Sequence, residues 1–129
     1  MQSLWGLLLL PLMAHAASGG WHASVSGPGL TQRGSWLVSP ALPPATGVSG
    51  AITMVNWRYQ LNMPAPSGLK VRLCAPQRCV LLEGASGITL GLAHLPANQA
   101  LHFAFGFTGK GDLPPGLRVV SSEVMVNYH

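Results

Sequence analysis

The sequence predicts an all-β protein, a single antiparallel β-sandwich domain of about seven or eight strands. Short segments in which apolar residues alternate with polar or small ones recur along the chain, as in half-buried strands. Sixteen glycines and eleven prolines punctuate these segments within 129 residues. Because no window keeps a helical apolar spacing, we expect strands joined by glycine and proline turns.

The expected strands carry the core on one of their two faces. In the longest of them Trp57 and Tyr59 share a face, and near the end of the chain Phe103 and Phe105 do the same. We expect Trp57, Phe103 and Phe105 to be buried. In chain order the expected strands are residues 21–25, 35–39, 48–61, 69–73, 80–84, 88–92, 101–108 and 117–128.

The last expected strand changes its apolar phase part-way. Leu117 and Val119 have one parity, whereas Val124 and Val126 have the other. An extra residue in one strand of an antiparallel pair produces such a change. The pattern therefore predicts a β-bulge near Ser121.

The first 16 residues have the features of a signal peptide. An uncharged apolar block, residues 4–13, is too short for a membrane span, which needs about 20 residues. Ala14-His15-Ala16 follows, and this small-x-small pattern is accepted by signal peptidase. We expect cleavage after Ala16, export of a mature chain of residues 17–129 as one domain, and no transmembrane segment in that chain.

The two cysteines, Cys74 and Cys79, have four residues between them. Export places the chain where disulfides persist, which favours a disulfide. A redox-active pair and a metal clip are the alternatives. The first would ordinarily use Cys-x-x-Cys, and the second needs two further ligands.

The segments on either side of the cysteines predict a β-hairpin with a four-residue loop, residues 75–78. If Cys74 faces Cys79, one register follows for the whole hairpin. Apolar side chains then share the core face, and Lys70 faces Glu83 on the outer face. The expected pairs are Leu73 with Val80, Arg72 with Leu81, Val71 with Leu82 and Lys70 with Glu83.

Basic residues outnumber acidic ones, seven to three, and the net charge is +4. On the expected register Lys70, Arg72 and Arg78 lie on or beside the outer face of the hairpin, and they are the candidate partner-binding residues. Such a cluster suits an acidic partner or lipid headgroups. A merely solvated strand face is the alternative interpretation.

Catalytic motifs are missing from the sequence. A pair of carboxylates across a cleft is not indicated, and His94 and Asp112 lack a nucleophile-elbow motif that would complete a triad. The histidines have no recognised ligand spacing. We expect a non-enzymatic protein without cofactor or metal, and for an exported chain no nucleic-acid partner. A small hydrolase remains a further alternative for the function of the chain.

The tryptophans suggest an alternative to a protein-binding function, namely sugar binding. Trp57 alternates with core residues, but Trp36 is ambiguous and Trp21 is expected to be free near the new N-terminus. Exposed tryptophans around one groove would favour a carbohydrate- or peptidoglycan-binding module. A closed tryptophan set with a bare strand edge or an apolar patch would favour a protein partner.

Several motifs together resemble the FlhE family of flagellar proteins. The motifs are NWRYQLN at residues 56–62, GLKVRLC and RCV within residues 68–80, Ala93-His94, and the ending Val126-Asn127-Tyr128. The resemblance covers most of the mature chain and is strongest from Val48 onward.

This resemblance implies a periplasmic accessory protein of the flagellar system in Gram-negative bacteria. The family is linked to the flagellar type III export apparatus and is thought to limit proton leakage through the export channel in a chaperone-like or plugging role. The implied partners are flagellar export or basal-body proteins. It brings no catalytic residues, and the disulfide positions carry over as Cys74 and Cys79.

Overall fold

The computed structural model describes residues 18–129, which contain strands and turns but no helix. The predicted signal peptide, residues 1–16, and its cleavage site lie outside the described residues. The strands are β1 (Gly19–Val25), β2 (Trp36–Val38), β3 (Ile52–Leu61), β4 (Leu69–Ala75), β5 (Arg78–Leu82), β6 (Ser86–Thr89), β7 (His102–Phe107) and β8 (Val119–Tyr128).

Two four-stranded antiparallel sheets make up the fold. The first has the order β1-β8-β3-β6 and the second the order β2-β7-β4-β5. Buried residues of both sheets belong to one hydrophobic cluster. The predicted all-β sandwich is confirmed.

Aromatic side chains join the two sheets in the core. Trp57 and Tyr59 of β3 stack with their ring centroids 6.1 Å apart. The Tyr59 ring also meets Phe105 of β7 edge to face, at 5.4 Å. Trp57, Phe103 and Phe105 are all buried, as the alternation predicts.

Strand β8 contains the irregularity that its apolar phase predicts. Gln60 of β3 pairs with Ser121, but the next residue, Leu61, pairs with Val119, so Val120 is the extra residue. The bulge brings Ser122 onto the core side. Its side chain is fully buried, and its hydroxyl has no hydrogen-bond partner within residues 18–129.

Three sequence expectations are corrected by the fold. Strand β3 begins at Ile52 rather than at residue 48, because Gly50 has a φ of 85°, outside the range of a strand. Strand β6 ends at Thr89, and Leu92 lies buried in the turn that follows. Trp21 is buried rather than free, since its Nε1 donates a 3.0 Å hydrogen bond to the carbonyl oxygen of Ala97.

Candidate partner-binding surface

The hairpin β4–β5 has the register that the sequence predicts. Cys74 lies opposite Cys79, and the two form a disulfide with Cα atoms 4.0 Å apart. Pairing continues for one further step, Ala75 with Arg78, so the turn contains Pro76 and Gln77 alone. The expected four-residue loop is therefore wrong, because two of its residues extend the ladder.

The outer face of the second sheet carries exposed apolar and cationic side chains side by side. The β4 residue Arg72 lies between Leu81 of β5 and Ala104 of β7, and Val38 of β2 continues this row. The adjacent row runs from Lys70 through Gly106 to Trp36. We call this the Trp36 surface, which consists of Trp36, Val38, Lys70, Arg72 and Leu81.

Trp36 and Arg72 form the centre of the Trp36 surface. The Arg72 guanidinium lies over the indole with Cζ 4.1 Å from the ring centroid, a cation–π contact. The indole packs against the backbone at Gly106, where an added Cβ would come within 2.9 Å of Trp36 Cδ2. The side chain stays 41% exposed, so this anchored aromatic side chain remains available to a partner.

The cationic groups of this surface are not neutralised within the described part of the chain. There the recorded ion pair joins Arg58 to Glu123, away from Lys70 and Arg72. The expected pair of Lys70 with Glu83 does not form, because the pairing of β5 ends at Leu82. Two exposed positive charges therefore lie beside exposed apolar side chains.

Arg78 lies elsewhere. It pairs with Ala75, which is buried, and the strand alternation puts it on the opposite face from Cys79 and Arg72. Its side chain lines a groove with His94 and His129 at one end of the sandwich. Lys70 and Arg72 thus lie on the outer face as expected, whereas Arg78, expected on or beside that face, lies on the opposite one.

Other candidate chemistry is not assembled at one place. Glu123 forms an ion pair with Arg58, Asp112 is exposed in a loop whose backbone pairs with that of Gln32, and Glu83 is exposed after β5. From residue 18 onward, no three His, Cys, Asp or Glu side chains cluster as metal ligands would. Likewise, no helix in that part of the chain is long and apolar enough to cross a membrane.

The family is decided by comparison with known proteins. The family model described as Flagellar protein FlhE matches residues 27–129. The chain belongs to the FlhE family of flagellar proteins.

Relatives in the FlhE family extend over nearly the whole sequence. Flagellar protein FlhE of Salmonella typhimurium is 47% identical over 129 residues, 99% of this chain and 99% of the relative. The Escherichia coli K12 protein is 46% identical over 129 residues with the same coverage. A solved structure, "Crystal Structure of FLHE", matches with a TM-score of 0.85 at 47% identity, over 88% of this chain and 99% of that chain.

The motif that carries the resemblance to the FlhE family, NWRYQLN, chiefly serves the fold. Trp57 and Tyr59 lie in the core, and Arg58 donates a 2.6 Å hydrogen bond to Glu123. Asn62 holds the loop before β8, since its Nδ2 donates to the Gly116 carbonyl at 2.8 Å and its Oδ1 accepts from a backbone N–H at 3.0 Å.

Sequence reasoning left Trp36 ambiguous and did not single out Val38 or Leu81 as binding residues. One signal for Trp36 was present in the sequence, because Gly106 lies inside β7, between Phe105 and Phe107. A glycine inside a strand often marks the close approach of another group. In this FlhE family member, that group is the Trp36 indole.

Proposed function

We propose that this protein is a non-enzymatic flagellar accessory protein of the periplasm that limits proton leak through the type III export apparatus. It would act by binding an export or basal-body protein, as a plug or in a chaperone-like manner. Membership of the FlhE family supports the flagellar role. The apolar block and the Ala14-His15-Ala16 pattern support export.

The Trp36 surface is the observation that carries the binding part of the proposal. Interface hot spots are enriched in tryptophan and arginine, and here one of each is exposed and held in contact. Val38 and Leu81, each 55% exposed, flank this pair. Because Lys70 and Arg72 have no acidic partner in residues 18–129, we infer that the partner presents an acidic surface with apolar residues.

Carbohydrate binding is less well supported. A sugar site built from two tryptophans would need Trp21 and Trp36 exposed around one groove, but Trp21 is 3% exposed. The guanidinium of Arg72 lies over the Trp36 ring, where a stacked sugar would compete with it. The arrangement therefore favours a protein partner over a glycan.

The surface can be tested by reversing its charge. We expect the double variant Lys70→Glu/Arg72→Glu to fold, since exposed substitutions change stability by within about 0.5 kcal/mol, and loss of the Arg72–Trp36 contact adds about 0.5–1 kcal/mol. In flagellated cells lacking the native copy, it should fail to restore cytoplasmic pH after an external acid shift, read by a fluorescent pH reporter.

Lys110→Glu/Arg118→Glu is the matched control, because it makes the same charge change at exposed residues outside the Trp36 surface. This control should restore pH as well as wild type does. Full restoration by the folded Lys70→Glu/Arg72→Glu variant would show that the Trp36 surface is not the binding surface. Equal failure of both variants would show that only net charge matters.

Localisation has its own test. N-terminal sequencing of protein recovered from the periplasm should begin at Ala17. Recovery of the intact chain from Met1 in the cytoplasm would contradict export and, with it, the periplasmic role.

A further inference from the structure

Strand β6 forms one edge of the first sheet, and its outward-facing backbone is unpaired. Tyr59 N–H donates to the Ala85 carbonyl at 2.9 Å, so Ala85 faces β3. Antiparallel ladders alternate, so Gly87 and Thr89 also face β3, whereas the N–H and C=O of Ser86 and Ile88 point outward. These groups have no hydrogen-bond partner within residues 18–129.

Apart from its shortness, four residues, the β6 edge lacks the usual protection against strand pairing. Natural edge strands are blunted by lysine, proline, bulges or covering elements. Residues 85–91 read ASGITLG, without a charge or a proline, and Ser86, Gly87 and Ile88 are exposed. The pairing of β6 with β3 is regular, so no bulge turns the edge away.

Two large apolar side chains are exposed along this edge. Ile88 is 62% exposed and Leu90, two residues on, is 68% exposed. Ile88 lies within β6, whereas Leu90 comes directly after the strand ends at Thr89. On the outer face of the sheet Ile88 is next to Asn56 and then Met125, which is 42% exposed. An apolar margin therefore accompanies the unpaired backbone groups.

The position of β6 is held by the core. An added Cβ at Gly87 would lie 3.0 Å from Trp57 Cζ2, so the strand backbone rests directly on the buried indole. A little further along, an added Cβ at Gly91 would clash with Val80 Cγ1, so this segment also packs closely against β5. Such an edge is preorganised, which lowers the ordering cost of binding.

We propose that the β6 edge is a binding site for an extended, uncharged segment of a partner protein, which adds to the first sheet as a further strand beside β6. Main-chain hydrogen bonds to Ser86 and Ile88 would supply affinity, and contacts with Ile88, and with Leu90 just beyond the strand, would favour apolar residues in the partner. The absence of charge along residues 85–91 sets this partner chemistry apart from the acidic partner inferred for the Trp36 surface. This inference does not depend on the flagellar role.

The test uses purified protein of residues 17–129 and a capped decapeptide of alternating valine and threonine, labelled with fluorescein at one end. Binding is measured by fluorescence anisotropy, with amide hydrogen exchange as the second readout. We expect saturable binding and slower exchange of the Ser86 and Ile88 amides in the complex. A peptide N-methylated at every residue, which has no N–H donor on either edge, should not bind.

Ile88→Pro is the decisive variant. Its lost N–H points away from β3, so the β3–β6 ladder is kept, and proline is tolerated in strands where the N–H faces solvent. One hydrogen bond fewer should weaken peptide binding about three- to tenfold. Ile88→Ala removes the side chain but keeps the donor, which separates the apolar contribution from the backbone one.

A melting curve like that of wild type shows that Ile88→Pro is folded; if it is not, Ile88→Lys replaces it, because an edge lysine opposes strand addition without altering the backbone. The proposal would be overturned if wild type showed no saturable binding at about 1 mM peptide. It would also be overturned if the folded Ile88→Pro or Ile88→Lys variant bound the peptide as tightly as wild type does. A concentration-dependent dimer that Ile88→Pro abolishes would overturn it too, because a second copy would then occupy the edge.

Discussion

Phe105 gives the most direct test of the folded core. Its side chain has 0% exposure, stacks on Phe103 at 6.1 Å and meets Tyr59 edge to face at 5.4 Å. Truncating a buried Phe to Ala costs about 3–5 kcal/mol, and aromatic pairs contribute about 0.5–1.5 kcal/mol beyond their buried area. With two such pairs lost, we expect Phe105→Ala to cost about 4–5 kcal/mol.

A cost of this size is a large part of the whole stability. Domains typically unfold with about 5–15 kcal/mol, and for roughly 110 residues each kcal/mol shifts Tm by about 4 °C. Phe105→Ala should therefore lower Tm by about 15–20 °C or unfold the protein. Urea denaturation followed by far-UV circular dichroism gives the free-energy difference.

Leu90→Ala is the control for Phe105→Ala. The Leu90 side chain is 68% exposed, so its loss should change stability by within about 0.5 kcal/mol. Phe105→Leu should recover most of the lost stability, because it refills much of the cavity. A loss below about 1 kcal/mol in Phe105→Ala would refute the claim that this aromatic cluster joins the two sheets.

Three further perturbations follow from the structure. The Cys74→Ala/Cys79→Ala variant should stay folded and lose about 2 kcal/mol in urea denaturation, since the disulfide closes a small loop; failure to fold would contradict this. Burial raises the pKa of Tyr59, so the stability that it contributes is present below about pH 10 and is lost as pH rises through its folded-state pKa. Tyr59→Phe should therefore show a smaller fall in Tm between about pH 9.5 and 11 than wild type. An equal fall would contradict the raised pKa of Tyr59. Gly106→Ala should displace the Trp36 indole, because the added Cβ would lie 2.9 Å from Trp36 Cδ2, with an altered tryptophan emission spectrum that an unchanged indole position would not produce.

The sequence predicted the fold where alternation and chemistry agreed. In the hairpin the facing cysteines and the apolar alternation of Val71 and Leu73 select a single register, because a one-residue slip would turn every side chain to the other face. The bulge in β8 was readable for the same reason, since the parity change between Val119 and Val124 needs one extra residue. Strand ends were less predictable, because pairing beyond the disulfide depends on the turn.

The prediction failed where a side chain's environment comes from distant segments. Trp21 looked free because it lies near the start of the expected mature chain, but the Ala97 carbonyl, 76 residues away in sequence, accepts its N–H. Trp36 was ambiguous because a three-residue strand has too little alternation to show its exposed face. Its contact with Arg72 joins β2 to β4, two strands separated in the sheet by β7.

Arg78 failed for a simpler reason. Strand alternation places successive residues on opposite faces, and Arg78 is directly before Cys79, which shares a face with Arg72. Once pairing extends to Ala75 and Arg78, Arg78 must therefore leave the outer face. On the outer face the basic cluster of the hairpin therefore consists of Lys70 and Arg72. A charge-reversal test of the Trp36 surface should change these two residues and leave Arg78 as it is.

The two proposed binding regions lie on different sheets, which makes them separable. The Trp36 surface belongs to the second sheet and the β6 edge to the first. Effects of mutations at distant sites usually add within about 0.3–0.5 kcal/mol, whereas effects at coupled sites do not. Combining Ile88→Pro with Lys70→Glu/Arg72→Glu and measuring affinity for one purified flagellar partner would thus distinguish two cases. Additive losses mean that the partner contacts both regions independently. If Ile88→Pro has no effect on that partner, the partner does not use the β6 edge, and the proposed flagellar association rests on the Trp36 surface alone.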